Sequence, residues 1–163
     1  MKWVEPHHVA RSVHDVDYAT LAKQGIRSIL FDLENTLCRW RVWELDERAW
    51  GLLRHLQDLG LRVAILTNAP LSPQHPLAAE LATRGITVVS SARKPLRYGF
   101  KKALQQLHVA PHEAAIVGDQ MLTDVLGGRR VGLVTVLVSP LDRNESWPTR
   151  INRQIERLLG RPR

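Results

Sequence analysis

Apolar residues fall into short runs separated by longer stretches of helical spacing. Ile26 to Leu33, Leu61 to Thr67, Ile86 to Ser90, Ala114 to Val117 and Leu133 to Val138 are strand-sized and apolar on both alternating faces. That pattern predicts five strands covered by helices on both sides. Between them, Asp46 to Leu59 places Ala49, Leu52, Leu53, Leu56 and Leu59 on one helical face, with Gly60 as a stop. Residues 75–84, Phe100 to Leu107, Leu122 to Arg130 and a last segment from Pro148 to Leu159, with Ser146 near its cap, are further helical candidates. Strands alternating with helices predict right-handed βαβ units, hence an α/β fold with a three-layer, Rossmann-like, mostly parallel open sheet. Sites in such sheets form at the carboxyl ends of the strands.

Polar residues fall at those ends. The first predicted strand ends Asp32-Leu33-Glu34, the second Thr67-Asn68, and the third is followed by Arg93-Lys94-Pro95. The fourth ends Gly118-Asp119, with Thr123-Asp124 beyond. The physics fits phosphoryl transfer. An aspartate can attack phosphorus, carboxylates can hold a hard divalent cation, and a hydroxyl and a lysine can bind the equatorial oxygens.

FDLENTL, LTNAP, ARKPLRYGFKKAL and VGDQMLTDVLGGRRVGLVTVLVSP resemble the four motifs of the haloacid dehalogenase-like superfamily, within its class IIIA, phosphatidylglycerophosphate phosphatase-like (YqeG type) branch. The resemblance runs from about Val13 to Leu159. It implies a phosphatase using Mg2+ and an aspartyl-phosphate intermediate. It implies Asp32 as nucleophile and metal ligand, residue 34 as general acid/base and carbonyl ligand, and Asp119 as the remaining metal ligand. Thr67 and Lys94 would bind the phosphoryl group, Asn68 would assist at substrate or in structure, and Asp124 would support Lys94 or the metal. The family has aspartate where this chain has Glu34. The backbone carbonyl is indifferent to that change, but the carboxyl head moves by roughly 1.5 Å.

Composition sharpens the partner. The chain has 163 residues, 44% of them hydrophobic, which suits one folded domain spanning 1–163. The net charge of +7 favours anionic partners. No apolar run approaches the roughly 20 residues of a membrane span, and Met1 to Pro6 lacks an apolar signal core. The single Cys38 is consistent with a cytoplasmic protein and reads as structural. The spacing leaves no room for a large cap domain: 26 residues between Thr67 and Lys94 hold one helix and one strand. An uncapped site suits a large or surface-embedded substrate. With the basic charge, this points to an anionic phospholipid headgroup monoester, met at the inner face of a membrane, with no nucleic acid as partner; it is the resemblance that implies phosphatidylglycerophosphate in particular. The alternatives are a soluble or polynucleotide phosphate ester, or a non-catalytic phosphate-binding relic.

Arg39-Trp40-Arg41-Val42-Trp43 falls where the superfamily places a flap; it suits either a membrane interface or packing on the flap's own core. Ile151, Ile155, Leu158 and Leu159 share a face of the last predicted helix, which suits docking on the sheet or on anionic lipid. His7-His8 reads as a solvated loop, and Gly118 and Gly127-Gly128 as turn residues.

Overall fold

A computed structural model describes residues 5–141. The predicted helix at 148–159 and its cap at Ser146 lie outside them. All five expected strands form: β2 (Ser28–Phe31), β3 (Arg62–Leu66), β4 (Thr87–Val89), β5 (Ala114–Gly118) and β6 (Val134–Val138). A sixth, β1 (His8–Ala10), adds to the edge, so the sheet has the order β1-β6-β5-β2-β3-β4 and every pairing is parallel. His7-His8 is thus no free loop. The His7 ring accepts the Thr135 backbone N–H at 3.0 Å and meets the Thr135 hydroxyl at 3.0 Å, while His8 opens β1.

Alternation along each strand builds two cores. Ile29 and Phe31 of β2, Val63 and Ile65 of β3, and Val117 of β5 point to one face. There they meet α1 (Tyr18–Lys23), α2 (Glu47–Asp58) and α3 (Pro76–Thr83) through Leu21, Leu53, Leu56 and Leu81. Leu30, Ala64 and Ile116 point to the other face, toward Phe100, Ala103 and Leu104 of α4 (Arg97–Leu107). The apolar spacing predicted for the 46–59 helix therefore holds, and its N-terminus is fixed by Asp46, whose carboxylate accepts the Ala49 N–H at 2.8 Å.

The helix expected at 122–130 divides in two: a wide π-type turn over Met121–Leu126, then α5 (Gly127–Val131). Gly127 and Gly128 serve close approach rather than a turn. A Cβ would stand 2.6 Å from the Phe100 ring at Gly127 and 2.5 Å from Ile116 Cγ2 at Gly128. α5 can therefore lie against α4 and the sheet only without those side chains. No large cap interrupts the described residues. From β2 the chain winds outward through β3 and β4, then returns to β5 and β6 on the other side. The order thus reverses around β2, where such sheets open a crevice at their carboxyl edge.

Candidate functional site

The ladder carries the polar residues to that edge. Asp32 N–H continues the β2–β5 pairing by donating to Val117 O at 3.0 Å, and Thr67 N–H donates to Val89 O at 3.0 Å. Lys94 arrives in the loop after β4, and Asp119 follows the last residue of β5. All four are buried.

The Lys94 ammonium joins two segments. Its Nζ donates to Asp32 Oδ1 at 2.8 Å and to Asp124 Oδ1 at 2.6 Å. Burial alone would push this ammonium down, but Asp124 and Asp32 outweigh it and hold it above the usual lysine range. Oxygens of Asp32, Asp119 and Asp124 lie within 4.8 Å of one another. Burial, then the charges of Asp32 and Asp124, pushes the Asp119 carboxyl up to about 8. Burial likewise raises Asp124, with Lys94 opposing. Three crowded carboxylates facing one ammonium carry surplus negative charge. Gly118 permits this crowding, because a Cβ there would collide with the Asp124 carboxylate.

A cavity of about 240 Å³ opens above the cluster, lined among others by Asp32, Glu34, Thr67, Asn68 and Lys94. Thr67 Oγ1 accepts the Ala69 N–H at 3.0 Å, which leaves its own proton free to donate. Asn68 grips the backbone of Lys94 from both sides: Oδ1 accepts Lys94 N–H at 2.7 Å and Nδ2 donates to Lys94 O at 3.0 Å. Glu34 is half-buried, and its carboxylate accepts the Arg41 backbone N–H at 2.7 Å. Three contributors went unassigned from sequence. The Thr36 hydroxyl donates to Asp119 Oδ1 at 3.3 Å. Gln120 and Thr123, joined at 3.0 Å, form part of the wall. All three stand inside the quoted motif stretches, so their position was the available signal.

Comparison with known proteins decides the family. The model of haloacid dehalogenase-like hydrolases matches residues 39–132. The chain is also 30% identical over 158 residues to Probable phosphatase YqeG of Bacillus subtilis (strain 168), covering 97% of this chain and 90% of that protein. The chain belongs to the haloacid dehalogenase-like hydrolase family. It is a YqeG-type phosphatase within it. It is 31% identical over 142 residues to the chloroplastic Phosphatidylglycerophosphate phosphatase 1 of Chlamydomonas reinhardtii, covering 83% of this chain but spanning only about half, 53%, of that protein. A crystal structure of an uncharacterized Listeria monocytogenes protein superimposes with a TM-score of 0.59 at 21% identity, over 74% of this chain and 85% of that one. It supports the fold.

The donor set of this haloacid dehalogenase-like site fits a hard divalent cation. It offers carboxylate oxygens only, close enough to share one ion, and their mutual repulsion adds to burial in raising Asp119. The two flap tryptophans differ in exposure. Trp43 is half-buried and packs edge-on against His75 at 5.4 Å, whereas Trp40 is exposed, borders the cavity and carries the Arg41 guanidinium 4.2 Å above its ring. Cys38 is buried, and its thiol, pushed up to about 12 chiefly by burial, is no nucleophile here.

Proposed function

We propose that the chain, as a single phosphatase domain, hydrolyses the phosphomonoester of phosphatidylglycerophosphate or a similar anionic lipid headgroup, with Asp32 as nucleophile and Mg2+ as cofactor. The observation that carries the reading is the Lys94 ammonium bridging Asp32 and Asp124 on the floor of an open cavity, beside Asp119. Asp32 and Asp119, with the backbone carbonyl of Glu34, would hold the cation. When bound, it neutralises phosphate charge and quiets the repulsion among the carboxylates.

The chain's own residues then divide the work. Two of the three Lys94 protons are committed to carboxylates, and the third remains for a phosphoryl oxygen. Thr67 offers its free hydroxyl proton to another. Asp32 attacks phosphorus, the P–O bond to the alcohol breaks, and Glu34 gives its proton to the departing oxygen. Glu34 then takes a proton from water, which attacks the aspartyl-phosphate, releases inorganic phosphate and restores Asp32. The lipid substrate is supported by the named activity of the Chlamydomonas relative, by the net charge of +7, and by a site that no large cap covers among the described residues.

The test is phosphate release from phosphatidylglycerophosphate in detergent micelles with Mg2+, by wild type and Asp32→Asn. Release by wild type, abolished by the substitution and by a chelator, is expected. Failure of wild type on this and every other phosphomonoester tried would remove the proposal. A higher kcat/KM on soluble phosphate esters would reassign the substrate.

A further inference from the structure

We infer that the carboxyl edge of the sheet is itself an interfacial docking face for an anionic lipid bilayer, built from the flap, the start of α4 and the residues after β6; this rests on the lipid substrate proposed above. Five of the seven large apolar side chains exposed among the described residues gather there, the other two being Val9 on β1 and Leu59 at the end of α2. Trp40 and Val42 of the flap, Leu96 and Tyr98 after β4, and Leu141 after β6 are each between 45% and 59% exposed. These segments meet at the same edge. Trp40 and Lys94 border the same cavity, and Leu96 and Tyr98 stand two and four residues beyond Lys94, at the N-terminal end of α4. On the other side, Leu141 N–H donates to Asn35 O at 2.9 Å, and Leu141 and Val42 line one groove of about 400 Å³ beside the flap. Trp40 thus borders the cavity mouth, and the other four lie exposed on the segments that follow β2, β4 and β6 at the same edge, in place of packing beneath it.

Charge on the same segments selects the occupant. Arg39, Arg41, Arg93 and Arg97 are exposed and interleave with the apolar side chains in sequence. Of the acidic groups here, Glu34 has its carboxylate occupied by the Arg41 N–H, Asp46 caps α2 by accepting the Ala49 N–H, and Glu44 shares the groove of Val42 and Leu141, so the four arginines outnumber them. Aromatic rings with arginine and a few aliphatics make the composition of a surface that sits at the headgroup level of an anionic membrane. A soluble ester would need no such rim. Docking this edge would set the cavity mouth on the lipid surface, so a phosphomonoester headgroup could enter without its acyl chains leaving the bilayer.

The test compares the full chain with a Leu96→Ser/Tyr98→Ser variant, both outside the proposed chemistry. Partition is read by co-sedimentation with vesicles of phosphatidylcholine alone or of equal parts phosphatidylcholine and phosphatidylglycerol. Hydrolysis of a soluble aryl phosphate reports folding. Wild type is expected to partition only onto the mixed vesicles, and the variant to partition about tenfold less with unchanged aryl phosphate hydrolysis. Equal partition of variant and wild type would assign the membrane contact to another face and overturn the inference. No partition of wild type would overturn it as well, while leaving the hydrolysis of phosphatidylglycerophosphate in micelles untouched. Conversely, wild type that binds through this face but releases no phosphate from that lipid would end the substrate reading and leave the docking face standing.

Discussion

The Glu34 carboxylate accepts the backbone N–H of Arg41 across seven residues of chain, so the acidic group at the proposed acid/base position also fastens the flap. The longer glutamate arm gives this contact its reach, and Arg41 meets it with φ of 57°, a left-handed conformation that non-glycine residues adopt at some cost. Glu34→Gln keeps an acceptor for the N–H and loses only the transferable proton. It is expected to lower kcat by about 10²-fold or more with little change in stability. An undiminished kcat in Glu34→Gln would limit Glu34 to holding the flap. Glu34→Asp restores the family residue but withdraws the acceptor from Arg41, so faster turnover together with greater protease sensitivity of the flap is expected.

Among the described residues, Lys94 is the sole buried cation, and it sits with three buried carboxylates. Lys94→Met would leave Asp124, nearly inaccessible to solvent, without its counter-charge. The expected loss is about 3–5 kcal/mol in urea unfolding at pH 8, together with loss of phosphate release. Asp124 is already raised by burial, and without the ammonium it rises further. The neutral acid is the form the native state tolerates, so the stability loss should shrink as pH falls toward 5, where Asp124 takes up a proton. The same loss at both pH values would mean that Asp124 is not the destabilised group.

How far the sequence reveals this site follows from where its information lies. Asp32, Thr67, Lys94 and Asp119 were legible because a parallel sheet delivers each strand end to one edge, and apolar runs mark where strands stop. β1 was not legible. Three residues, His8-Val9-Ala10, with an exposed outer edge carry too short a pattern, and their strand conformation comes from pairing with β6, far away in sequence. α1 is short for a helix, at six residues, and is set by the Asp17 cap and by Tyr18 and Leu21 in the core. The glycines misled for another reason. A glycine needed for close approach looks identical in sequence to one needed for a turn, and only the neighbours (Asp124 for Gly118, Phe100 for Gly127) tell them apart.

Asn68 shows how a residue next to a motif can act through another. Its amide holds both backbone groups of Lys94, which fixes where the side chain begins. Asn68→Ala would free that loop, and a displacement of about 1 Å in Lys94 is expected to cost on the order of 10²-fold in kcat. Asn68→Asp keeps the acceptor for Lys94 N–H and loses the donor, so an intermediate loss is expected. Steady-state kinetics separate this from direct substrate contact. A rise in KM with kcat intact in Asn68→Ala would place Asn68 against the substrate instead.

Magnesium should stabilise the fold, and more so in alkaline solution. Without the cation, burial and neighbouring carboxylates lift Asp119 to about 8, above its unfolded value. A raised carboxyl contributes stability that is complete below the unfolded pKa, near 4, and is lost as pH climbs through 8. The metal-free protein therefore carries its repulsion most fully at pH 8 and above. At lower pH a cation must first displace the Asp119 proton, so its apparent affinity should weaken by about tenfold per pH unit below 8 for each proton displaced. Thermal unfolding with and without Mg2+ measures this directly. A rise in Tm of several degrees is expected at pH 8, about 2–8 °C, with a much smaller one at pH 5. Asp119→Asn removes both the repulsion and a ligand, so its metal-free Tm should exceed that of wild type at pH 8 and respond little to Mg2+. A magnesium response in wild type that is flat with pH, or one that survives intact in Asp119→Asn, would exclude Asp119 as the group that couples the cation to the fold.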